Sequence, residues 1–276
     1  MELKKNTIKL NTGHEIPIFG LGLYRSPSGK ETQQAIKWAF ESGYRMFDTA
    51  QIYGNEQDVG IALKDLLIDR DEVFITTKIW RDNGGKETLP SMEKSLKKLQ
   101  LDYVDLLLFH WPKKETRLET WGEMIKLLES GKTKSIGVSN YMPWHLEELL
   151  VEYSVIPAVN QIEIHPFIYD KHIKQLETLA KDYNIILQAY SPLAKAKKLD
   201  DRKLVNLAKA YNKTPAQLLL RWGIEHKFVI FPKSTNKSRI IENSNIFDFT
   251  ITKNDLEIMN SWSEDLTTGW NPRNQD

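Results

Sequence analysis

Short apolar runs recur along this chain at intervals too long for a hairpin and suited to one strand followed by one helix. That spacing limits the fold more than any single motif does. The runs finish near Gly22, Phe47, Thr77, Phe109, Val138, Asn160, Ala189 and Pro232. The residues at or just past those ends, at 22, 48, 78, 110, 139, 161, 190 and 233, lie 26, 30, 32, 29, 22, 29 and 43 residues apart. A strand with its returning helix takes roughly 30 residues, so the last interval has room for two helices. From the third run onward the residues are Val, Ile and Leu without alternation, as strands covered on both faces require. Such a succession predicts an α/β architecture, a closed (β/α)8 TIM barrel.

The intervening segments read as helices. Leu89, Met92, Leu96 and Leu99 share one helical face. Thr214, Pro215 and Gln217 supply an N-cap, a first-turn proline and a capping box. Gly43 and Gly131 fall just past helical segments, where a left-handed residue is wanted. Residues 8–16 read as a hairpin turning at Thr12-Gly13, a plug for the N-terminal end of the barrel. No linker or composition break divides the chain, so residues 1–276 are expected to form one domain. The rival, an open dinucleotide-binding sheet, needs three spaced glycines after its first strand. Gly20-Leu21-Gly22-Leu23-Tyr24-Arg25 offers two and puts Arg25 in the third slot.

Bulk properties narrow the function. Lys plus Arg is 38 against 37 for Asp plus Glu. A net charge of +1 predicts no attraction to nucleic acid or an acidic membrane. The absence of cysteine removes disulfides, thiol nucleophiles and thiolate metal sites. The first residues, Met1 to Asn6, lead into no apolar secretion segment, and no run approaches the roughly 18 apolar residues of a membrane span. The expected compartment is the cytoplasm and the expected state a monomer. Lys195-Ala196-Lys197-Lys198 is expected to be a solvated loop.

The strand ends carry the chemistry. Asp48, Lys78 and His110 follow three successive runs, and Tyr53 lies in the loop after the first of these. In a barrel, such positions face the active mouth. An ammonium beside a phenol is expected to lower the phenol's pKa, and a carboxylate holds the ammonium in place. A histidine can orient a carbonyl oxygen. The set suits proton delivery to an oxygen that is gaining negative charge, with no metal in the device. Lys78 alone also admits a Schiff-base lyase.

These segments together resemble the aldo-keto reductase family. Gly43-Tyr44-Arg45-Met46-Phe47-Asp48-Thr49-Ala50 with Tyr53 and Asn55-Glu56 is similar to its first signature. Phe74-Ile75-Thr76-Thr77-Lys78 is similar to its lysine strand, and Phe109-His110-Trp111-Pro112 to its histidine strand. Ser139-Asn140, Asn160-Gln161-Ile162-Glu163, Tyr190-Ser191-Pro192-Leu193 and Pro232-Lys233-Ser234 follow in family order. The short C-terminal tail looks most like the small bacterial branch that includes diketogluconate and methylglyoxal reductases.

The resemblance implies Tyr53 as general acid, Lys78 tuning it, Asp48 holding Lys78, and His110 orienting a small-molecule carbonyl substrate. It also implies NADPH across the barrel mouth. Gly22 would border that cofactor, Tyr190 would stack on the nicotinamide, and Ser139, Asn140 and Gln161 would bind its carboxamide. Ser191 and Leu193 would line the pyrophosphate. Lys233, Ser234 and Arg239 would hold the 2′-phosphate, with Glu242 and Asn243 at the adenine. Tyr24, Trp80, His110 and Trp111 would form the substrate pocket. Ala194 departs from the glycine that the family often has after Ser-Pro-Leu. A non-catalytic NADPH-binding subunit is the other reading.

Overall fold

The computed structural model describes residues 6–274. Residues 1–5, which begin the stretch inspected above for a secretion segment, lie outside the described residues. The chain opens with an antiparallel hairpin, β1 (Thr7–Lys9) and β2 (Glu15–Pro17), with Ile8 opposite Ile16. Its turn puts Gly13 at φ 88°, a backbone that glycine accepts without a steric penalty. Leu10 and Ile16 pack beneath Met46, Phe74, Leu106, Leu108, Val159 and Val229, so the hairpin seals the barrel floor as expected.

The strands are β3 (Leu21–Gly22), β4 (Met46–Asp48), β5 (Phe74–Ile79), β6 (Leu106–Phe109), β7 (Ile136–Ser139), β8 (Val159–Glu163), β9 (Ile186–Tyr190) and β10 (Val229–Ile230). They are ordered sequentially in one sheet, and every neighbouring pair is parallel. Parallel bridges from Phe19 to Ile230 and from Gly22 to Lys233 join the first strand to the last and close the barrel. Gly22 permits that seam, because a Cβ there would lie 2.6 Å from the Phe231 carbonyl oxygen.

Between the strands run α1 (Lys30–Glu41), α2 (Glu56–Asp65), α3 (Thr88–Leu99), α4 (Arg117–Glu129), α5 (Pro143–Glu152) and α6 (Lys171–Asp182). The long last interval holds α7 (Arg202–Ala210) and α8 (Pro215–Glu225), as its length predicts. Beyond β10 come α9 (Lys237–Ser244) and α10 (Lys253–Asn260). Met92, Leu96 and Leu99 of α3 are buried against the sheet, with Leu89 half-buried at the helix start. Thr214 and Gln217 make the reciprocal cap of α8.

Several strand ends differ from the reading of the sequence: Asp48, Ser139 and Tyr190 close β4, β7 and β9 from within, β10 stops at Ile230 and not at Pro232, and two strands run on further. Lys78 lies inside β5, where it pairs with Leu108, and not beyond the strand. Strand β8 runs on to Glu163, opposite Tyr190, past the polar pair Asn160-Gln161. The apolar run stops earlier than the hydrogen-bond ladder in both cases, because the ladder depends on backbone groups and not on side-chain polarity.

Candidate active site

Asp48, Lys78 and Tyr53 converge at the C-terminal mouth of the barrel. Lys78 is fully buried and uses all three of its hydrogens. It donates to Asp48 Oδ1 at 2.5 Å, to the Thr49 carbonyl at 2.8 Å and to Tyr53 Oη at 3.3 Å. The second oxygen of Asp48 accepts from Gln161 Nε2 at 2.8 Å. His110, just beyond β6, stands edge-on to Tyr53 with ring centroids 5.6 Å apart. Its Nδ1 is buried without a hydrogen-bond partner among the described residues. A lysine engaged in this way is poorly placed as a Schiff-base nucleophile, which needs a neutral, accessible amine.

Tyr53 is positioned by short-range chemistry. It ends a single 3-10 turn, Gln51–Tyr53, which Gly54 terminates at φ 72°. Gln51 pins that turn with four hydrogen bonds. Its Oε1 accepts from Trp80 N and Asn83 Nδ2, both at 2.9 Å, and its Nε2 donates to the Ser91 carbonyl and Ser95 Oγ. Buried Asn55 donates to the Leu23 and Ser26 carbonyls and accepts from Thr49 Oγ1, tying β3 to the Asp48 loop. Neither residue was singled out for this work from the sequence, since an amide's partners are visible only in three dimensions.

Burial dominates the electrostatics. It pulls Lys78 below the ordinary lysine range, and Asp48 opposes the shift. Burial likewise raises Asp48, with Lys78 and Gln161 opposing. His110 is held well below the usual imidazole range, first by burial and then by Lys78, so it is neutral at physiological pH. The Tyr53 phenol is pushed well above its ordinary value by burial and then by Asp48. That corrects the expectation of a lowered phenol pKa. The ammonium is so tightly paired with Asp48 that Tyr53 faces a near-neutral dipole, which cannot offset desolvation.

The expected cofactor residues line the same mouth and one flank. Ser139 Oγ donates to the Gln161 carbonyl at 2.8 Å. Asn140, at φ 64°, donates to the His110 carbonyl at 2.9 Å and accepts from Tyr190 Oη at 2.9 Å. Gln161 donates to Gln188 as well as to Asp48, so its amide hydrogens are committed within the protein. Ser191, also left-handed at φ 50°, and Leu193 lead into the lysine-rich segment. On the flank, Lys233 and buried Ser234 precede α9, and Arg239 lies in its first turn. Neither Lys233 nor Arg239 has a carboxylate within salt-bridge distance among the described residues. Desolvation lowers Lys233, with Glu31 opposing. Glu242 is engaged by Thr214 Oγ1, whereas buried Asn243 has no side-chain hydrogen bond among the described residues.

Aromatic rings wall the entrance. Tyr24 lies 5.1 Å from Tyr53, and Trp80 lies 5.3 Å from His110, centroid to centroid. Trp111 is buried, and Trp270, which the sequence reading left outside the pocket with the other tryptophans, packs against both it and Trp80. It stands 5.4 Å from Trp80 and 5.7 Å from Trp111. The lysine-rich segment is not simply solvated either: Lys195 donates to the Thr268 carbonyl and Lys198 pairs with Glu264. Its first residue, Ala194, has φ 47°, which accounts for a preference for glycine at that position.

A profile of the Aldo/keto reductase family matches residues 18–264. The chain is 44% identical to the glyoxal reductase of Bacillus subtilis (strain 168), over 97% of this chain and 96% of that one. It is also 44% identical to the methylglyoxal reductase DkgA of Yersinia pestis, over 90% of each. Among solved structures, a Gox0644 mutant in complex with NADPH superposes with a TM-score of 0.91 at 35% identity, covering 98% of both chains.

Proposed function

The chain belongs to the aldo/keto reductase family, a family of NADP-dependent oxidoreductases, and we propose that it reduces small aldehydes and ketones to alcohols, with Tyr53 giving the proton. The observation that carries this reading is the hydrogen bond from Lys78 Nζ to Tyr53 Oη, backed by the Lys78–Asp48 pair and flanked by His110. Accepting from Lys78 uses a lone pair of the phenol oxygen and leaves its own O–H to donate toward the mouth. His110, being neutral, can donate to the same substrate oxygen without adding a second buried charge. Holding Tyr53 protonated keeps the acid loaded until that oxygen becomes basic. The ammonium of Lys78 then stabilises the phenolate that remains, opposing the rise that burial imposes on the phenol. Positioned acids of this kind contribute about 10²–10⁴-fold in rate.

The donor set fits NADPH. Unpaired Lys233 and Arg239, Ser234 and the first turn of α9 suit its 2′-phosphate, as charge-assisted hydrogen bonds and a helix N-terminus suit any phosphate. Asn243 has its side chain available for the adenine. Ser139, Asn140, Gln161 and Tyr190 border the place for its nicotinamide, with Gly22, Ser191 and Leu193 along its length and Glu242 beside Asn243. When bound, the cofactor supplies hydride to the carbonyl carbon.

Tyr24, Trp80, Trp111 and His110 would shape the substrate pocket. Residues 1–276 would work as one domain and as a monomer in the cytoplasm, with no nucleic acid partner. Support for that placement is the net charge of +1 and the absence, among the described residues, of any helix long and apolar enough to cross a membrane. The test is NADPH consumption against methylglyoxal, aromatic aldehydes, keto-sugars and quinones. Turnover of at least one carbonyl class is expected. NADPH binding without turnover of any would instead support a non-catalytic subunit.

A further inference from the structure

The segment after α10 crosses the barrel mouth as a strap, and two charged side chains hold it at one point. Glu163, at the end of β8, accepts from Thr268 N at 2.9 Å, from Thr268 Oγ1, and from Gly269 N at 3.1 Å. From the other side Lys195 Nζ donates to the Thr268 carbonyl at 2.5 Å. Gly269 rests against Tyr190, where an added Cβ would lie 3.4 Å from its hydroxyl. The next residue is Trp270, placed between Trp80 and Trp111.

The turn that presents Lys195 is unusual. Ala194, Lys195 and Ala196 have φ of 47°, 50° and 63° in succession, and none is glycine. Left-handed backbone is unfavourable for each L-residue and persists only where surrounding contacts fix it. Here the fixing contacts include the lysine's bond to the strap. The same turn follows directly on Leu193, in the segment that borders the cofactor site under the reading above. One lysine therefore joins the cofactor-side loop to the substrate-side wall.

We propose that Lys195 is a positioning residue for substrate selection: it clamps Thr268, and so holds Trp270 against Trp80 and Trp111 as the third tryptophan of an aromatic wall on which flat aromatic carbonyl compounds can pack. The inference rests on reading the mouth as a carbonyl-reducing site. It also ties recognition of aromatic substrates to the conformation of the loop after Leu193.

The experiment compares wild type with Lys195→Met and Lys195→Arg by two measurements. Hydrogen exchange at the Thr268 and Gly269 amides reads the clamp without any turnover. The kcat/KM ratio of 4-nitrobenzaldehyde to methylglyoxal at saturating NADPH reads selectivity. Lys195→Met should speed exchange at both amides by roughly tenfold or more. It should lower the ratio about fivefold or more, chiefly through KM for the aromatic aldehyde. Lys195→Arg should retain most of both. Unchanged exchange in Lys195→Met overturns the clamp, and faster exchange with an unmoved ratio overturns the role in selectivity. A wild type that reduces neither aldehyde refutes the reductase reading and the selectivity role with it, while exchange still decides whether Lys195 holds the strap.

Discussion

At the residue scale, one buried carboxylate organises the proposed chemistry. Asp48 gives one oxygen to Lys78 and the other to Gln161, so it fixes the ammonium and connects it to β8. Burial drives Lys78 toward the neutral amine, and Asp48 is the first influence opposing it. In Asp48→Asn that opposition is lost, the lysine pKa falls further, and the ammonium disappears at lower pH. The alkaline limb of the kcat/KM profile should therefore move to lower pH by about 1 unit or more. An unmoved limb would show that Asp48 does not hold Lys78 charged. His110 is displaced in the direction that keeps it neutral, so activity should show no acidic limb near the ordinary imidazole value of about 6.5. A limb there would place a charged His110 in the resting site. The four residues were legible in the sequence because each sits at or near a strand end within a family-like motif. The direction of the Tyr53 shift was not, because it depends first on how completely the fold buries the phenol and then on the charge of Asp48 beside it.

At the scale of elements, the barrel's seam and its flank carry separate duties. Gly22 lets β3 approach the segment after β10, and a side chain there meets a backbone carbonyl that cannot rotate away. Gly22→Ala should cost about 1–3 kcal/mol, read as a lowered denaturation midpoint. Unchanged stability would mean that the seam can widen. On the flank, the cations before and within α9 are assigned to the phosphate that distinguishes NADPH from NADH. Lys233→Ala should raise the KM for NADPH by tens-fold, in keeping with a charge-assisted hydrogen bond of about 1.5–3 kcal/mol. The KM for NADH should move far less, and equal effects would remove Lys233 from the phosphate site. The order of strands and helices could be read from spacing alone, including the two helices in the last interval. The strand limits could not, since Thr77-Lys78 and Asn160-Gln161 break the apolar pattern while their backbones continue the ladder.

Across the whole molecule, the hairpin covers the barrel floor, the C-terminal strap crosses the opposite end, and the candidate catalytic residues lie at that strapped end. The barrel and its plug follow from local periodicity, which a sequence displays directly. The strap does not, because Glu163 and Thr268 meet across 105 residues of chain and Thr268 belongs to no recognisable motif. Trp270 therefore reads as an ordinary tail residue until the strap is in place.

The central claim is that the proton comes from Tyr53 while the cofactor site stands independently of it. The most direct measurement compares NADPH oxidation by wild type and Tyr53→Phe with methylglyoxal, alongside NADPH affinity from quenching of protein fluorescence. The variant should lose about 10²–10⁴-fold in kcat with NADPH affinity within a few-fold of wild type. Turnover in Tyr53→Phe equal to that of wild type would contradict the account.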